Sequence, residues 1–360
     1  MNKKTIIIPS LAFTIAMSVS GQNTAILHKQ YTLDKDLVPP SNYSGITWIG
    51  DNRYAVVSDE EPNDGFYIFN IDLDSNTGKV TSVKRYGYFS TPAKKIDKWG
   101  SSIRDIEAIA YRPQSNTFYM AGEGDQRIIE YNEKSKPTGR EFNIPQVYAL
   151  SNIRPNKGFE SLTYNHKTDL FWTTTEATLK SDGACATANH SDVENLMRIT
   201  SFNANLQPTG QYAYKMEKPL TSFIKKKPKI LVYGISDLCA LDDGQIIVME
   251  REIHVAENYL NSFCNIRLYL VYPTESKKIN PSASLQQLPN NMFLKKEEIC
   301  SFKTEASVKA MNIANYEGIC LGPKLKDGRR TLLLINDSQN GEKKGPFRLK
   351  DYLKVIVIDD

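Results

Sequence analysis

Hydrophobic and polar positions along the chain recur as one unit. Five segments open with a polar, usually acidic residue and continue as a short apolar run: Ser44-Gly-Ile-Thr-Trp, Glu107-Ala-Ile-Ala-Tyr, Glu160-Ser-Leu-Thr-Tyr, Asp237-Leu-Cys-Ala-Leu and Glu317-Gly-Ile-Cys-Leu. A turn follows each, then a second apolar run: Tyr54 to Ser58, Phe118 to Gly122, Leu170 to Thr175, Gln245 to Met249 and Thr331 to Asn336. Every second run ends at another acid: Asp59, Glu123, Glu176, Glu250 and Asp337. Third runs follow at Phe66 to Asp72, Arg127 to Tyr131, Leu196 to Phe202, Ile266 to Tyr272 and Leu353 to Ile358. Fourth runs are visible at Val80 to Phe89, Arg140 to Ile144 and Gly210 to Met216.

Short runs bounded by turn residues read as β-strands. A sheet-sized unit repeating along the chain predicts an all-β fold, a β-propeller, because one blade cannot cover its own faces and neighbours must stack. Five units predict five blades, and a sixth would fit in Ile279 to Phe302, where the fourth unit runs long. The last unit stops after its third strand, near Ile358, while Ala25 to Leu33 stands unassigned before the first. That N-terminal strand is expected to complete the last blade. Inserts at Ala177 to Glu194, Glu217 to Tyr233 and Glu252 to Phe263 interrupt the repeat and are expected as loops.

Composition agrees with this reading and narrows it. The 19 Tyr, 14 Phe and 3 Trp favour strands. A formal charge of +4, with basic residues scattered, argues against a nucleic-acid partner. Lys3 and Lys4, the apolar stretch from Ile6 to Val19 and the small residues Ser18, Ser20 and Gly21 read as a signal peptide over residues 1–21. The expected mature chain, residues 22–360, is a single propeller domain, periplasmic or secreted, with no membrane span. The five Cys (Cys185, Cys239, Cys264, Cys300, Cys320) show no C-x-x-C spacing and are expected as one or two disulfides or as buried thiols.

In a propeller, the first strand of each blade lines the central channel. An acid opening that strand and an acid closing its antiparallel neighbour lie near the same end. Several such pairs would converge on one mouth, where like charges raise each other's pKa unless a cation sits among them. Oxygen-rich clusters suit hard cations, Ca²⁺ first. The candidate metal ligands are Asp105, Glu107, Glu160, Asp237 and Glu317. The bland alternative is that these acids cap backbone N–H groups or pair with Arg104, Arg127 or Arg251 and hold blades together.

Other chemistry is unsupported. There is no G-x-S-x-G elbow, no Walker loop and no G-x-G-x-x-G, and the four His lack zinc spacing. Asp72-Leu-Asp74-Ser-Asn76-Thr-Gly78 opens like a calcium loop but lacks its sixth-position Gly and has Val83 at the twelfth, so a hairpin turn is expected. The basic run Lys225 to Lys229 is expected as a solvated loop, or as a lure for an anionic substrate.

At its repeat residues the chain resembles the secreted bacterial family known as esterase-like activity of phytase, the phytase-like domain proteins. The matching pieces are Ser44-Gly-Ile, Asp105-Ile-Glu107-Ala-Ile, Gly158-Phe-Glu160-Ser-Leu, Gly234-Ile-Ser-Asp237-Leu, Met249-Glu250-Arg251, Glu317-Gly-Ile and Asp327-Gly-Arg-Arg330 running on to Asn336-Asp337. The resemblance implies hydrolysis of phosphate or carboxylic esters, calcium-assisted. Under that reading Arg104 or Arg251 clamps the phosphate of a small anionic ester, and Glu123 or Glu176 serves as general base or acid. The alternative is a non-catalytic propeller that binds a glycan, peptide or surface partner, with any calcium structural.

Overall fold

The computed structural model describes residues 25–359 except 99, 309, 345 and 346; the signal read at residues 1–21 lies outside them. Five antiparallel sheets of four or five strands follow one another along the chain. Blade 1 is Tyr43–Gly50, Arg53–Ser58, Asn63–Leu73 and Val80–Pro92. Blade 2 is Ile106–Arg112, Thr117–Gly122, Arg127–Tyr131 and Pro137–Glu141. Blade 3 is Thr163–Asn165, Leu170–Thr173, Leu196–Asn203 and Pro208–Lys215. Blade 4 is Ile230–Ala240, Ile246–Val255, Ser262–Val271 and Lys296–Ala306. Blade 5 is Asn315–Leu321, Arg330–Asp337 and Tyr352–Ile358, with Ile26–Leu27 and Tyr31–Thr32 along its outer edge.

The first strands of successive blades neighbour one another, and that of blade 5 returns to that of blade 1, so the ring is closed. Five apolar clusters fill the five gaps between blades. Phe66, Ile106 and Phe118 belong to the cluster between blades 1 and 2; Phe159, Phe171 and Phe202 sit between blades 2 and 3. Met197, Ile235 and Val248 join blades 3 and 4, Ile247, Ile319 and Leu332 join blades 4 and 5, and Val56, Leu333 and Val355 join blades 5 and 1. The core is therefore divided among the interfaces, and each blade buries its faces only through its neighbours.

Two expectations change. Residues 279–295 form no sixth sheet: Ile279, Leu285 and Phe293 pack with Ala213 of blade 3, and Lys296–Ala306 is the fourth strand of blade 4. The inserts ending at Tyr233 and starting at Glu252 are loop at 217–229 and 256–261, as expected, but their ends at 230–233, 252–255 and 262–263 are strand. Blade 4 begins its first strand at Ile230, and its second and third strands are joined only by residues 256–261. Ile230, Val232, Ile253 and Val255 alternate onto one face of the hairpin of the first two strands, a one-sided pattern that the apolar Leu231 between the first two residues obscured. The segment after Asp72 is a hairpin turn, in which Asp74 Oδ1 accepts the Asn76 and Thr77 N–H groups at 3.1 and 2.8 Å. All five Cys are free thiols.

The ring is fastened by the N-terminal strand. Ile26 pairs with Val357 and Leu27 with Ile356, the His28 N–H donates to the Val355 carbonyl at 3.0 Å, and Leu33 is buried. Deleting residues 25–36 exposes the apolar edge of blade 5. The expected outcome is a melting temperature lower by about 10 °C or more, since roughly 1 kcal/mol is worth ~2–4 °C in a chain of this order; differential scanning calorimetry checks it.

Candidate functional site

The inner strands carry a β-bulge at equivalent places. The ladder steps from Tyr43 to Gly45, from Ile106 to Ala108, from Ile235 to Asp237 and from Tyr316 to Gly318, leaving Ser44, Glu107, Ser236 and Glu317 out of register. In blade 3 Phe159 bridges Thr175 before the ladder resumes at Thr163, and Glu160 occupies the corresponding place. A bulge releases one residue from the ladder and re-aims its side chain. Across the ladder, the residue that follows the partner of the pre-bulge residue is Asp59, Glu123, Glu176, Arg251 or Asp337. The sequence therefore produces two stacked rings around the axis, Ser44-Glu107-Glu160-Ser236-Glu317 and Asp59-Glu123-Glu176-Arg251-Asp337.

This register corrects one candidate ligand. The equivalent of Glu107 in blade 4 is Ser236, and Asp237 sits one residue beyond the bulge. Its carboxylate accepts the Leu238 and Ile319 N–H groups, each at 2.8 Å, and the Leu162 N–H also lowers its pKa against a larger rise from burial. Asp237 pins blade 4 to blade 5 and does not line the mouth. Glu250 is likewise turned away: it bonds Tyr214 of blade 3 at 2.7 Å and Lys296 at 3.0 Å.

The acids of both rings open into a cavity of about 450 Å³, lined by Asp59, Glu60, Asp105, Glu107, Glu123, Glu160, Glu176, Glu317 and Asp337 with, among the described residues, two cations, Lys157 and Arg251. Carboxylate oxygens of Asp59, Asp105 and Glu107 lie within 4.8 Å of one another, as do those of Glu123, Glu160 and Glu176. These buried groups are able to hold metal ions.

Arg251 organises the second group. Its guanidinium donates to Glu176 at 2.8 Å, to Asn315 at 3.1 Å and to Glu317, and stands 4.0 Å from Glu160. Lys157 donates to the other oxygen of Glu176. Burial works against the Glu176 charge, yet Lys157 and then Arg251 outweigh it and hold its pKa below the ordinary value. Gly234 makes the approach possible, since a Cβ there would lie 2.2 Å from the Glu176 carbonyl oxygen.

The remaining acids are pushed the other way. Burial, then repulsion from Glu160 and Asp59, raises Glu107 far above the carboxylate range; burial, Glu176 and Glu123 do the same to Glu160. Asp59 rises to about 10 through burial and the neighbouring Asp337 and Glu317. Glu123 rises only to about 7, because the Gly158 N–H, donating at 2.8 Å, partly offsets its burial. Asp105 and Glu317 are raised by burial as well, Glu317 against the pull of Arg251.

Arg104 does not reach the mouth. Its guanidinium is buried between blades 1 and 2, donating to Asp125 at 3.0 Å, to the Met120 and Arg127 carbonyls and to Tyr131, with Asp64 at 3.7 Å. Its donors are taken by structural partners. Asp105, the next residue, adopts a left-handed φ of 53° that separates the two side chains. Lys157, three residues before Glu160 as Arg104 is before Glu107, takes the place in the cavity that Arg104 was expected to hold. Asp59 and Asp337, visible in sequence only as strand-end acids, complete the set.

A closed five-bladed propeller with an acid-lined mouth is the class that fold and site define. The chain belongs to the phytase-like family described as esterase-like activity of phytase, which matches residues 39–339, and it is thus a hydrolase-type propeller. No curated protein matches it. Among solved structures it is similar to an endo-arabinase from Bacteroides thetaiotaomicron, at 11% identity over 92% of this chain and 98% of that one with a TM-score of 0.45. It is also similar to the β-xylosidase RS223, at 10% identity over 91% and 94% with a TM-score of 0.45. Likeness at this level bears on neither substrate nor mechanism.

The two kinds of acid respond oppositely to neutralisation. Asp237→Ala leaves the Ile319 and Leu162 N–H groups buried without an acceptor, and urea denaturation should show a loss of about 2–3 kcal/mol. Glu107→Gln puts a neutral group of the same shape where folding otherwise has to protonate a crowded carboxyl, and the variant should melt higher than the wild type in chelator. A fall in melting temperature for Glu107→Gln would contradict the crowding.

Proposed function

We propose that the chain is an exported, metal-assisted phosphoester hydrolase whose small anionic substrate enters the acidic mouth. The observation that carries the reading is the group Asp59, Asp105 and Glu107. Three oxygens from two blades converge there, and among the described residues none of the three carboxylates makes an ion pair. Asp59 Oδ1 is buried with no hydrogen-bond partner. An all-oxygen set with loose geometry fits Ca²⁺. Held by these residues, Ca²⁺ would supply Lewis-acid charge to a phosphoryl group.

The chain's own residues divide the remaining work. Arg251 faces the cavity with a buried Nε that has no partner, and it is oriented by Glu176, Glu317 and Asn315. It acts as the clamp for phosphate oxygens, with Lys157 as a second cation. Glu176 is held ionised between these two cations and positions them. Glu123, near neutrality, exchanges protons. In the hydrolysis, the oxygen of water ends on phosphorus, the ester P–O bond breaks, and the alcohol leaves with a proton relayed through Glu123. Two carboxylates driven apart in pKa by their surroundings thus take different roles. Export rests on the pattern of Lys3, Lys4 and Ile6 to Val19; no helix among the described residues is long and apolar enough to cross a membrane.

Turnover of p-nitrophenyl phosphate and phytate by purified protein, with and without EGTA, tests the reading. Calcium-dependent release of phosphate is expected, abolished in a Glu107→Gln, Glu160→Gln double variant. Glu123→Gln should lower kcat by about 10²–10⁴-fold. Calcium stabilisation with no hydrolysis of either ester would favour the non-catalytic binder instead.

A pH series gives a further check. Glu123 has an ordinary pKa of 4.5 and a folded value of about 7, so the folded state binds its proton more tightly. Its contribution to stability is therefore complete below pH 4.5 and is lost as pH rises through 7. Without metal the melting temperature should fall across that window, less so in Glu123→Gln. Saturating Ca²⁺ should oppose the fall by favouring the ionised carboxylates.

A further inference from the structure

The cavity has a second, unlike side. The strands of blade 4 are 10 or 11 residues long, whereas the ladder strands of blade 5 have 7 or 8. The surplus projects past the acid rings. Ile230 pairs with Val255, Val232 with Ile253 and Gly234 with Arg251, so these residues alternate onto one face of one hairpin. Ile230, Val232, Ile253 and Val255 all line the cavity, as does Arg251. The apolar strip continues directly from the clamp and extends for about 13 Å, four residues at ~3.3 Å each.

The rim beyond the strip is also constrained. Tyr259, in the loop that joins the second and third strands, lines the cavity with a left-handed φ of 60°. That conformation is costly for an aromatic residue and is retained where the surroundings impose it, commonly at ligand clamps. Lys229, the end of the basic run, stands 5.7 Å from the Tyr259 ring centroid.

Charge limits what the deep end accepts. Among the described residues Lys157 and Arg251 are the only cations lining the cavity, and they are already matched by Glu176 and Glu317. One phosphate paired with one metal ion is accommodated. A ring bearing several phosphate dianions would set them against the surplus of carboxylates and against an aliphatic wall.

We propose that the site takes phosphate monoesters of apolar alcohols, with the phosphate at Arg251 and the alcohol portion along Val232, Ile253, Ile230 and Val255. The inference rests on the phosphoesterase reading and specifies its substrate. It excludes polyphosphorylated polyols as preferred substrates.

Binding separates this inference from catalysis. Isothermal titration of the full mature chain with methylphosphonate and octylphosphonate, in Ca²⁺, should give a Kd at least tenfold lower for the octyl compound. In Val232→Asn, Ile253→Asn that preference should vanish. Ile230→Asn, at a site already 48% exposed and so tolerant of a polar residue, should reduce it severalfold while preserving the melting temperature. In turnover assays kcat/KM for octyl phosphate should exceed that for glycerol 2-phosphate and phytate by tenfold or more. Equal affinities, no binding of either phosphonate, or a preference for phytate overturns the inference; a preference for phytate leaves the hydrolase standing. Chain-length-dependent binding without turnover of any ester keeps the apolar subsite and overturns the hydrolase. Loss of a wild-type dimer in Ile230→Asn, without any chain-length preference, would assign the strip to a second copy of the chain and also overturn it.

Discussion

Carboxylates forced together in a desolvated space set the terms for the whole molecule. Ionising any of them but Glu176 is opposed on balance by burial and by the neighbouring acids, and among the described residues one Arg and one Lys hold only part of the charge. The arrangement persists because the propeller over-determines it. Five interfaces of packed aliphatic and aromatic side chains fix where each inner strand lies, so the acids cannot move apart to relieve their repulsion. Fold stability is thereby used to hold a local charge excess that solvent would otherwise disperse.

Departures from the five-fold pattern carry the chemistry. Where blades 2, 3 and 5 offer Glu at the bulge, blades 1 and 4 offer Ser44 and Ser236. Where four blades end their second strand with an acid, blade 4 has Arg251. The cation is thus built into the ring itself, opposite the Asp59 and Glu107 side, and the mouth is polarised across its width. Blade 4 departs a second time by length, adding an apolar wall behind its own Arg. A symmetric ring would bind charge without orienting it.

The repeat was legible because short strands, turns and strand-end acids recur at nearly constant spacing. Even the closure by residues 25–33 followed from a missing strand at one end and a spare one at the other. The candidate site was legible only in part. Glu107, Glu160, Glu317, Glu123, Glu176 and Arg251 all reach the cavity. Asp237 misled because an acid directly beside Ser236 imitates the motif one residue out of register, and only the bulge distinguishes them. Arg104 misled because a left-handed Asp105 turns it into the interface between blades. Lys157 was missed because nothing in a bare sequence shows that the position three before the bulge faces the cavity in one blade and not in another.

The strand that closes the ring also dictates an order of assembly. Ile26 meets Val357 across a very long stretch of chain, so this contact cannot form until the strand Tyr352–Ile358 has been made. Until then blade 5 has an open hydrogen-bonding edge and two interfaces await their partners. Contacts of such separation fold slowly, and unpaired edges invite association with other chains. Closure of the ring is therefore a late step of folding, and the vulnerable interval is the time between emergence of Tyr352–Ile358 and its capture of the Ile26–Leu27 strand.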